Sequence, residues 1–242
     1  MRPGAVAALM SASLLLVGAG PARGAALRPL PDRMADTGGG TQLITAVAPD
    51  TGATTGTLTW WDREGGADGR WVRAGSAPAR FGAAGLADGA TRAQGTNTTP
   101  TGLYDLPYAF GVEAAPPGTA YRYRPVHEDS WWCQDNASRS YNRWTEPRPA
   151  DCRADCRAAE AEHLITYPEQ YAHALVVGFN YDRPVRGRGA GIFLHVNGRG
   201  TTAGCVSVPA EAMRRVLRWA DPHERPHIAV GTSGGATAVT RY

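Results

Sequence analysis

The chain has 242 residues, with 25 Arg or Lys, 22 Asp or Glu and a formal net charge of +3 at pH 7. A chain of this length forms one substantial domain or two small ones. The near-neutral charge argues against a nucleic-acid-binding protein, which normally carries a basic stripe. All 25 basic residues are Arg, and the absence of Lys excludes a Ser/Lys dyad, Schiff-base chemistry and a Walker-A phosphate loop.

Residues 1–24 have the pattern of a secretory signal peptide. Arg2 provides a positive start, residues 5–17 form an apolar centre, and a small-x-small exit predicts cleavage after Gly24. Cleavage removes Arg2 and Arg23 from the 25 basic residues and leaves 23 against 22 acidic ones. Because the apolar centre is short for a membrane span, an uncleaved anchor is the less favoured alternative. We expect a secreted protein without stable membrane insertion after cleavage.

The 30 glycines and 18 prolines indicate many turns and favour a β-rich protein over a helical bundle. Residues 25–40 are predicted to be a flexible leader, and residues 41–242 one domain. A short helix is predicted at residues 158–163, and a longer one begins after Pro209, with apolar residues at helical spacing as far as Ala220. In chain order, strands are predicted at residues 42–48, 54–62, 70–74, 174–181, 192–196, 206–208 and 227–231.

Four cysteines in an exported chain normally indicate disulfides. If Cys205 stays a free thiol, three remain, and the favoured bond joins Cys133 to either Cys152 or Cys156. These last two are four residues apart, so on a helix both face the same way and either can reach Cys133. A zinc site from these three cysteines and His163 is a weaker alternative, because the spacing matches no familiar zinc finger.

Residues 121–145 are rich in Tyr and Trp. Together with His127, Glu128 and Asp129 they can form one wall of a groove for a polar ligand that carries sugar or peptide. The alternative is aromatic packing capped by a disulfide loop, which is the more common role of any single aromatic side chain.

The chemistry of the chain is concentrated in residues 191–209. A short apolar run ends near His195, a Gly-rich turn follows, and Cys205 comes directly after Gly204 and before a second alternating run. A strand, a turn and a second strand can bring His195 and Cys205 side by side. The imidazole can then take the thiol proton and leave the nucleophilic thiolate. Gly204 allows a tight turn, so backbone N–H groups near Ala203 can point at a developing oxyanion.

The run Thr-Ala-Gly-Cys that ends at Cys205 follows a strand with a His near its end. It resembles the Ser/Thr-x-Gly-Cys signature of the L,D-transpeptidase (YkuD) family. Residues 99–104, Thr-Pro-Thr-Gly-Leu-Tyr, are similar to an early element of the same family. The resemblance covers roughly residues 42–230. It implies a mainly β fold, a mixed β-sheet or sandwich with one or two short helices.

The same resemblance implies roles for single residues. Cys205 would be the nucleophile and His195 its general base, while the backbone N–H groups of Ala203, Gly204 and Cys205 would form the oxyanion hole. The implied substrates are peptidoglycan stem peptides, and the implied location is extracytoplasmic and associated with the cell wall. The implied reaction needs neither a metal ion nor an organic cofactor. We expect a monomer.

Three positions depart from the family pattern. Ala203 stands where many members have His, Ser207 where many have an Arg that serves a substrate carboxylate, and Val196 where Ser or Gly is frequent. A backbone carbonyl would then have to orient His195. These departures bear on substrate specificity more than on the Cys/His pair. The expected substrate contacts are Asn197, Thr202 and Ser207.

Two functions from different classes are therefore considered. The first is a secreted cysteine L,D-transpeptidase that forms an acyl-enzyme at Cys205 and resolves it as a crosslink or by hydrolysis. The second is a catalytically weak or inactive wall-binding or structural domain of the same fold, motivated by the missing Arg and His near Cys205. A peptidase for ordinary proteins is disfavoured by the resemblance alone.

Overall fold

The computed structural model describes Met1, residues 28–146 and residues 155–233. Apart from Met1, the expected signal peptide lies outside the described residues. Within the described ranges the chain forms fourteen strands and one α-helix, α1 (Ala210–Trp219). The strands are β1 (Gln42–Ala48), β2 (Thr55–Glu64), β3 (Arg70–Arg80), β4 (Leu86–Asp88), β5 (Thr99–Asp105), β6 (Ala109–Gly111), β7 (Tyr123–Pro125), β8 (Trp131–Cys133), β9 (Arg143–Thr145), β10 (Ala161–His163), β11 (Ala174–Val176), β12 (Phe193–Val196), β13 (Val206–Val208) and β14 (His227–Thr232). Short 3-10 helices lie at Leu30–Arg33, Gly66–Asp68, Ala158–Glu160, Leu164–Thr166 and Pro222–Glu224.

Eleven of these strands form one large sheet, and the other three form a small one. The order in the large sheet is β4-β5-β14-β1-β2-β3-β13-β12-β11-β6-β7, and in the small sheet β10-β8-β9. The pairs β1/β14 and β12/β13 are parallel, whereas β1/β2, β2/β3 and β11/β12 are antiparallel. The predicted mainly β fold with a mixed sheet is confirmed.

The strand β3 joins the N-terminal hairpins to the half of the sheet that carries residues 191–209. It pairs with β2 along its whole length, with a bulge between Trp60 and Trp61 on the partner strand. The predicted strand at 70–74 is therefore too short, since β3 continues to Arg80. At that end Arg80 pairs with Ser207 of β13.

Helix α1 packs against the strands of the His/Cys segment. Met213 and Leu217 are fully buried, and they belong to the same core cluster as Leu194 of β12 and Val206 of β13. Pro209 directly precedes the helix, as predicted. Burial of these apolar side chains stabilises the strands on either side of the Gly-rich turn by about 25 cal/mol per Å² removed from water.

An aromatic core fills the space between the small sheet and the large one. The ring centroid of Phe193 on β12 lies 5.0 Å from that of Phe110, 4.8 Å from that of Trp132 and 5.6 Å from that of Tyr171. Each pair meets edge to face, a geometry that contributes roughly 0.5–1.5 kcal/mol beyond the buried area. Trp132 is 1% exposed. Its role is therefore packing in this core and not forming a wall of the groove considered from the sequence.

A disulfide joins Cys133 at the end of β8 to Cys156, with 5.9 Å between the Cα atoms. This decides between the two bonds expected for Cys133; Cys152 lies outside the described residues. The zinc alternative is wrong in this structure, because two of its thiols are bonded to each other. Next to the disulfide, the guanidinium of Arg157 donates to both carboxylate oxygens of Asp135, at 2.8 and 3.0 Å.

Two predicted elements differ from the structure. Residues 158–163 form a 3-10 turn followed by β10, because pairing with β8 in the small sheet outweighs the local helical preference. The run at 174–181 is a strand only as far as Val176. Its remaining residues are mostly buried but turn away at Asn180, whose φ of 51° is a conformation that Asn tolerates.

The described part of the predicted leader lies against the fold. Met34 packs on the small cluster that contains Leu43 and Trp71. A Cβ placed on Gly38 would lie 2.3 Å from the ring of His227, so these residues approach the start of β14 closely.

None of the helices within the described ranges is both long and apolar enough to cross a membrane.

The Cys133–Cys156 bond closes a loop with a sequence separation of 23 residues. In a Cys152→Ala background, which removes the other cysteine expected to reach Cys133, Cys156→Ala should therefore lower the free energy of unfolding by about 3 kcal/mol, because the unfolded chain regains the entropy of that loop. Denaturant titration under non-reducing conditions measures the change. Cys152→Ala is the matched control and should leave the unfolding free energy unchanged; a loss in this control instead of in Cys156→Ala would contradict the pairing.

Candidate active site

The parallel pairing of β12 and β13 brings the two reactive side chains together. His195 on β12 pairs with Ser207 on β13, and Cys205 directly precedes β13. The side chains of His195 and Cys205 line one cavity, which is the juxtaposition expected from the sequence. Because the strands are parallel, the chain between them crosses back to the start of β12 and does not form a hairpin.

The thiol of Cys205 is held by the backbone of the strand beside it. Sγ lies 3.4 Å from the carbonyl oxygen of Gly191, to which it donates, and 3.3 Å from the backbone nitrogen of Phe193, whose N–H donates to it. The residue is 8% exposed and free of any disulfide. Among the described residues, no hydrogen bond joins Cys205 to His195. The resting thiol therefore interacts with the backbone and not with the imidazole.

A backbone carbonyl orients His195. This was expected from the sequence, because Val196 offers no polar side chain as a partner. Its Nδ1 lies 2.7 Å from the carbonyl oxygen of Val196. Since a carbonyl oxygen can only accept, Nδ1 carries the proton and Nε2 has a lone pair that can take one. The ring of Tyr171 packs edge to face on the imidazole, with 5.4 Å between the centroids.

Burial keeps both reactive groups neutral. It raises the pKa of the Cys205 thiol to about 12; the negative charge of Glu162 adds to the increase, while the N–H of Phe193 and the charge of Arg92 oppose it. Burial also lowers the pKa of His195 to about 4, against the effect of its hydrogen bond to Val196. At pH 7 the site therefore holds a thiol and a neutral imidazole rather than an ion pair.

Gly204 makes the turn that leads into Cys205. Its φ of 144° lies in the region that favours glycine. A Cβ at this position would also lie 2.9 Å from Nη2 of Arg92, 2.9 Å from the carbonyl oxygen of Thr98 and 3.2 Å from Cδ1 of Ile192. Both the conformation and the close approach of neighbours exclude a larger residue here.

The hydroxyl of Thr202 stabilises this turn with two hydrogen bonds to its backbone. It donates to the carbonyl oxygen of Cys205 at 2.7 Å and accepts from the N–H of Gly204 at 3.1 Å. The N–H groups of Ala203 and Cys205 have no acceptor among the described residues. Of the three backbone donors expected from the sequence, two are thus open and the third is engaged by Thr202.

A cavity of about 440 Å³ contains the reactive pair and is large enough for a small peptide. It is polar on one side, where charged and amide side chains reach it, and it is bordered on the other by the Gly-rich turn. Its lining includes Arg92, Gln94, Gln134, Glu162, Tyr171, Gly191, His195, Arg199, Thr202, Ala203 and Cys205.

The three expected substrate contacts are in different places. Thr202 lines the cavity of Cys205. Ser207 is fully buried, and its hydroxyl donates to Oδ1 of Asn197 at 2.8 Å. Neither Ser207 nor Asn197 lines that cavity. Asn197 borders a separate groove beside β2 and β3.

Sequence reasoning missed several polar residues of the cavity, among them Arg92, Glu162 and Gln134. Arg92 is 7% exposed and donates to the carbonyl oxygens of Thr98 and Arg188 at 2.8 and 3.1 Å. Glu162 and Gln134 come from the small sheet and its disulfide-bonded loop. No local pattern marks these residues, since each reaches the cavity through contacts with segments far away in the chain.

The described residues contain no group of three or more His, Cys, Asp or Glu that could hold a metal ion. The cavity contains a thiol, an imidazole and backbone N–H groups. These are the components of nucleophilic acyl transfer.

The raised pKa of Cys205 predicts a distinctive alkylation profile. Because only the thiolate reacts, the rate of labelling at Cys205 should rise about tenfold per pH unit from pH 7 to 10, without a plateau. Peptide mass spectrometry after timed treatment with iodoacetamide measures this rate on the peptide that contains Cys205. A plateau below pH 9 would show that the free protein already stores a thiolate.

The Thr202 hydroxyl provides a second prediction. Thr202→Val removes two hydrogen bonds within the turn and leaves the Gly204 N–H and the Cys205 carbonyl without that partner. The free energy of unfolding should fall by about 1–3 kcal/mol, as measured by denaturant titration. Thr202→Ser keeps the hydroxyl and should lose much less; equal losses in the two variants would assign the effect to packing of the methyl group.

Comparisons with known proteins agree with this geometry. The sequence model of the YkuD family, described as the L,D-transpeptidase catalytic domain, matches residues 51–233. The search of curated proteins and the search of solved structures each found no match. The matched region contains the large sheet from β2 onwards, the cavity, His195 and Cys205. The family is one of cysteine-based acyltransferases that act on peptidoglycan peptides. The chain belongs to the YkuD family of L,D-transpeptidase catalytic domains.

Proposed function

We propose that the protein is a secreted cysteine L,D-transpeptidase that acts on peptidoglycan stem peptides through an acyl-enzyme at Cys205. The observation that carries the proposal is the cavity shared by Cys205, His195 and the Thr-Ala-Gly-Cys turn of the family. The Cys133–Cys156 disulfide supports an extracytoplasmic, cell-wall location, because such bonds persist in oxidising compartments.

In the first half-reaction Cys205 attacks an amide of the donor stem peptide. The scissile bond joins the L-linked diamino-acid residue to the terminal D-amino acid. The thiol leaves the carbonyl oxygen of Gly191 and gives its proton to Nε2 of His195 as Sγ bonds to the carbonyl carbon. Since both groups are neutral beforehand, proton transfer and attack belong to one step and do not begin from a stored thiolate.

The tetrahedral intermediate then collapses to a thioester. Its C–N bond breaks, and the leaving amine of the D-amino acid receives the proton from Nε2 of His195. The developing oxyanion would be stabilised by the backbone N–H groups of Ala203 and Cys205. The N–H of Gly204 can join them if it exchanges its bond with Thr202. Loss of one such donor costs about 2.7–4 kcal/mol of transition-state stabilisation in other acyl-transfer enzymes.

The second half-reaction resolves the thioester. An amine of a neighbouring stem peptide gives up a proton to His195 and attacks the thioester carbonyl, which forms the crosslink and returns the thiol. Water in place of the amine gives L,D-carboxypeptidase activity. Neither outcome requires a metal ion or an organic cofactor.

Arg92 is the residue we propose for the substrate carboxylate. The family pattern has an Arg at the position of Ser207, and Ser207 is buried away from the cavity. Arg92 lines the cavity beside Gly204, and its hydrogen-bond partners there are the neutral carbonyl groups of Thr98 and Arg188. Its positive charge is therefore available to an anion. Thr202 is the second proposed contact.

The alternative is a wall-binding or structural domain that has lost efficient catalysis. The observation that favours it is the resting thiol, whose pKa is raised and whose hydrogen bonds run to the backbone at Gly191 and Phe193. Turnover separates the two functions, since a binding domain retains affinity for the peptide without transforming it.

The proposal predicts products that depend on Cys205. The mature protein, incubated with purified tetrapeptide muropeptides, should release the terminal D-amino acid or form a peptide dimer, as followed by mass spectrometry. Cys205→Ala should reduce the rate about a thousandfold or more, because the nucleophile is gone. Cys152→Ala serves as a cysteine control that keeps the nucleophile. Absence of products from a folded wild-type protein that still binds the peptide would favour the binding domain.

A further inference from the structure

Glu162 is a carboxylate in the cavity that the proposed reaction does not use. Among the described residues that line the cavity it is the one acid. Its Oε1 accepts from the hydroxyl of Tyr171 at 2.5 Å, and its Oε2 accepts from Nε2 of Gln134 at 3.3 Å. Both partners are neutral, and within the described part of the chain Glu162 forms no ion pair.

Glu162 also lies close to the nucleophile. A Cβ placed on Gly191 would lie 3.6 Å from Oε2 of Glu162, and the carbonyl oxygen of Gly191 is the group to which Cys205 donates. One glycine therefore separates the carboxylate from the thiol. The absence of a side chain at Gly191, whose φ is 66°, keeps the space between them open to a ligand.

The charge of Glu162 opposes catalysis in the empty site. Although burial raises the pKa of Glu162 to about 6, the carboxyl is still mostly ionised at neutral pH. Its negative charge raises the pKa of Cys205 and so disfavours the thiolate that the reaction needs. A partly buried carboxylate with no cationic partner loses part of its hydration without a compensating charge. A cation supplied by the substrate would remove both effects.

We propose that Glu162 binds an ammonium group of the donor substrate, the free side-chain amine of the diamino-acid residue, and is thereby a specificity-determining residue of the site. This inference rests on the function proposed above. In this role, Glu162 makes the site prefer donors whose side-chain amine is free over donors whose amine is blocked. Binding also neutralises the charge beside Cys205, so that recognition of the correct donor favours the thiolate at the moment of attack.

Binding in an inactive background tests the inference without relying on turnover. Cys205→Ala protein is titrated by calorimetry with a synthetic tetrapeptide whose diamino-acid side-chain amine is either free or acetylated. The free amine should bind roughly 10- to 100-fold more tightly, as expected for a hydrogen-bonded ionic contact in a partly buried site. Adding Glu162→Gln should abolish this preference by weakening only the free-amine peptide.

Glu160→Gln is the matched control, because Glu160 lies two residues away, with a half-exposed side chain near Arg157. It should keep the full preference for the free amine. Equal affinities of the two peptides for the Cys205→Ala protein, or a Glu162→Gln variant that weakens both peptides alike, would overturn the inference and leave Glu162 as a support for Tyr171.

Turnover by the Cys205-containing enzyme separates this inference from the proposed function. Release of the terminal D-amino acid should show a lower KM for the free-amine donor, and Glu162→Gln should raise that KM about tenfold or more with a smaller effect on kcat. Turnover with no preference between the donors would retain the transpeptidase and reject the role of Glu162. Amine-dependent binding without turnover would retain the role of Glu162 and reject the transpeptidase function.

Discussion

The turn at Gly204 is the constraint on which the candidate site depends. Its positive φ, and the lack of a Cβ that would collide with Arg92, Thr98 and Ile192, allow the chain to pass close to these residues just before β13 begins. The same turn directs the sulfur of Cys205 towards the backbone of β12 and leaves two N–H groups open. Thr202 holds the turn from within. Helix α1 and the apolar core behind β12 and β13 keep the two strands in register, so the turn is fixed on a rigid support.

Burial is the second physical feature that determines how the site works. It keeps the thiol of Cys205 protonated and the imidazole of His195 neutral. In the proposed reaction, such a pair becomes nucleophilic only when a substrate supplies new interactions. A carboxylate next to the thiol strengthens this restraint, and a cationic donor relieves it. Specificity and activation would then depend on the same contact at Glu162.

Local patterns predicted the parts of the fold that depend on neighbouring residues. The hairpins of β1 to β3, the helix after Pro209 and the strand that contains His195 follow from periodicity and turn residues. The parallel pairing of β12 with β13 was not predicted, because a Gly-rich turn between two short strands is typical of an antiparallel hairpin. Contacts between segments far apart in the chain account for two other differences: residues 161–163 form β10 by pairing with β8, and Arg92 and Glu162 reach the cavity. The motif pointed to Cys205 and His195 as the candidate pair, whereas the charged groups around them required the tertiary structure.

Whether Cys205 forms a covalent intermediate can be measured by intact-protein mass spectrometry after rapid acid quenching. With a tetrapeptide donor and no acceptor, an adduct on Cys205 is expected. Its mass should be that of the donor without its terminal D-amino acid, and hydroxylamine should release it as expected for a thioester. Cys205→Ala should form no adduct. Product formation that continues in Cys205→Ala, or an adduct on another residue, would rule out Cys205 as the nucleophile.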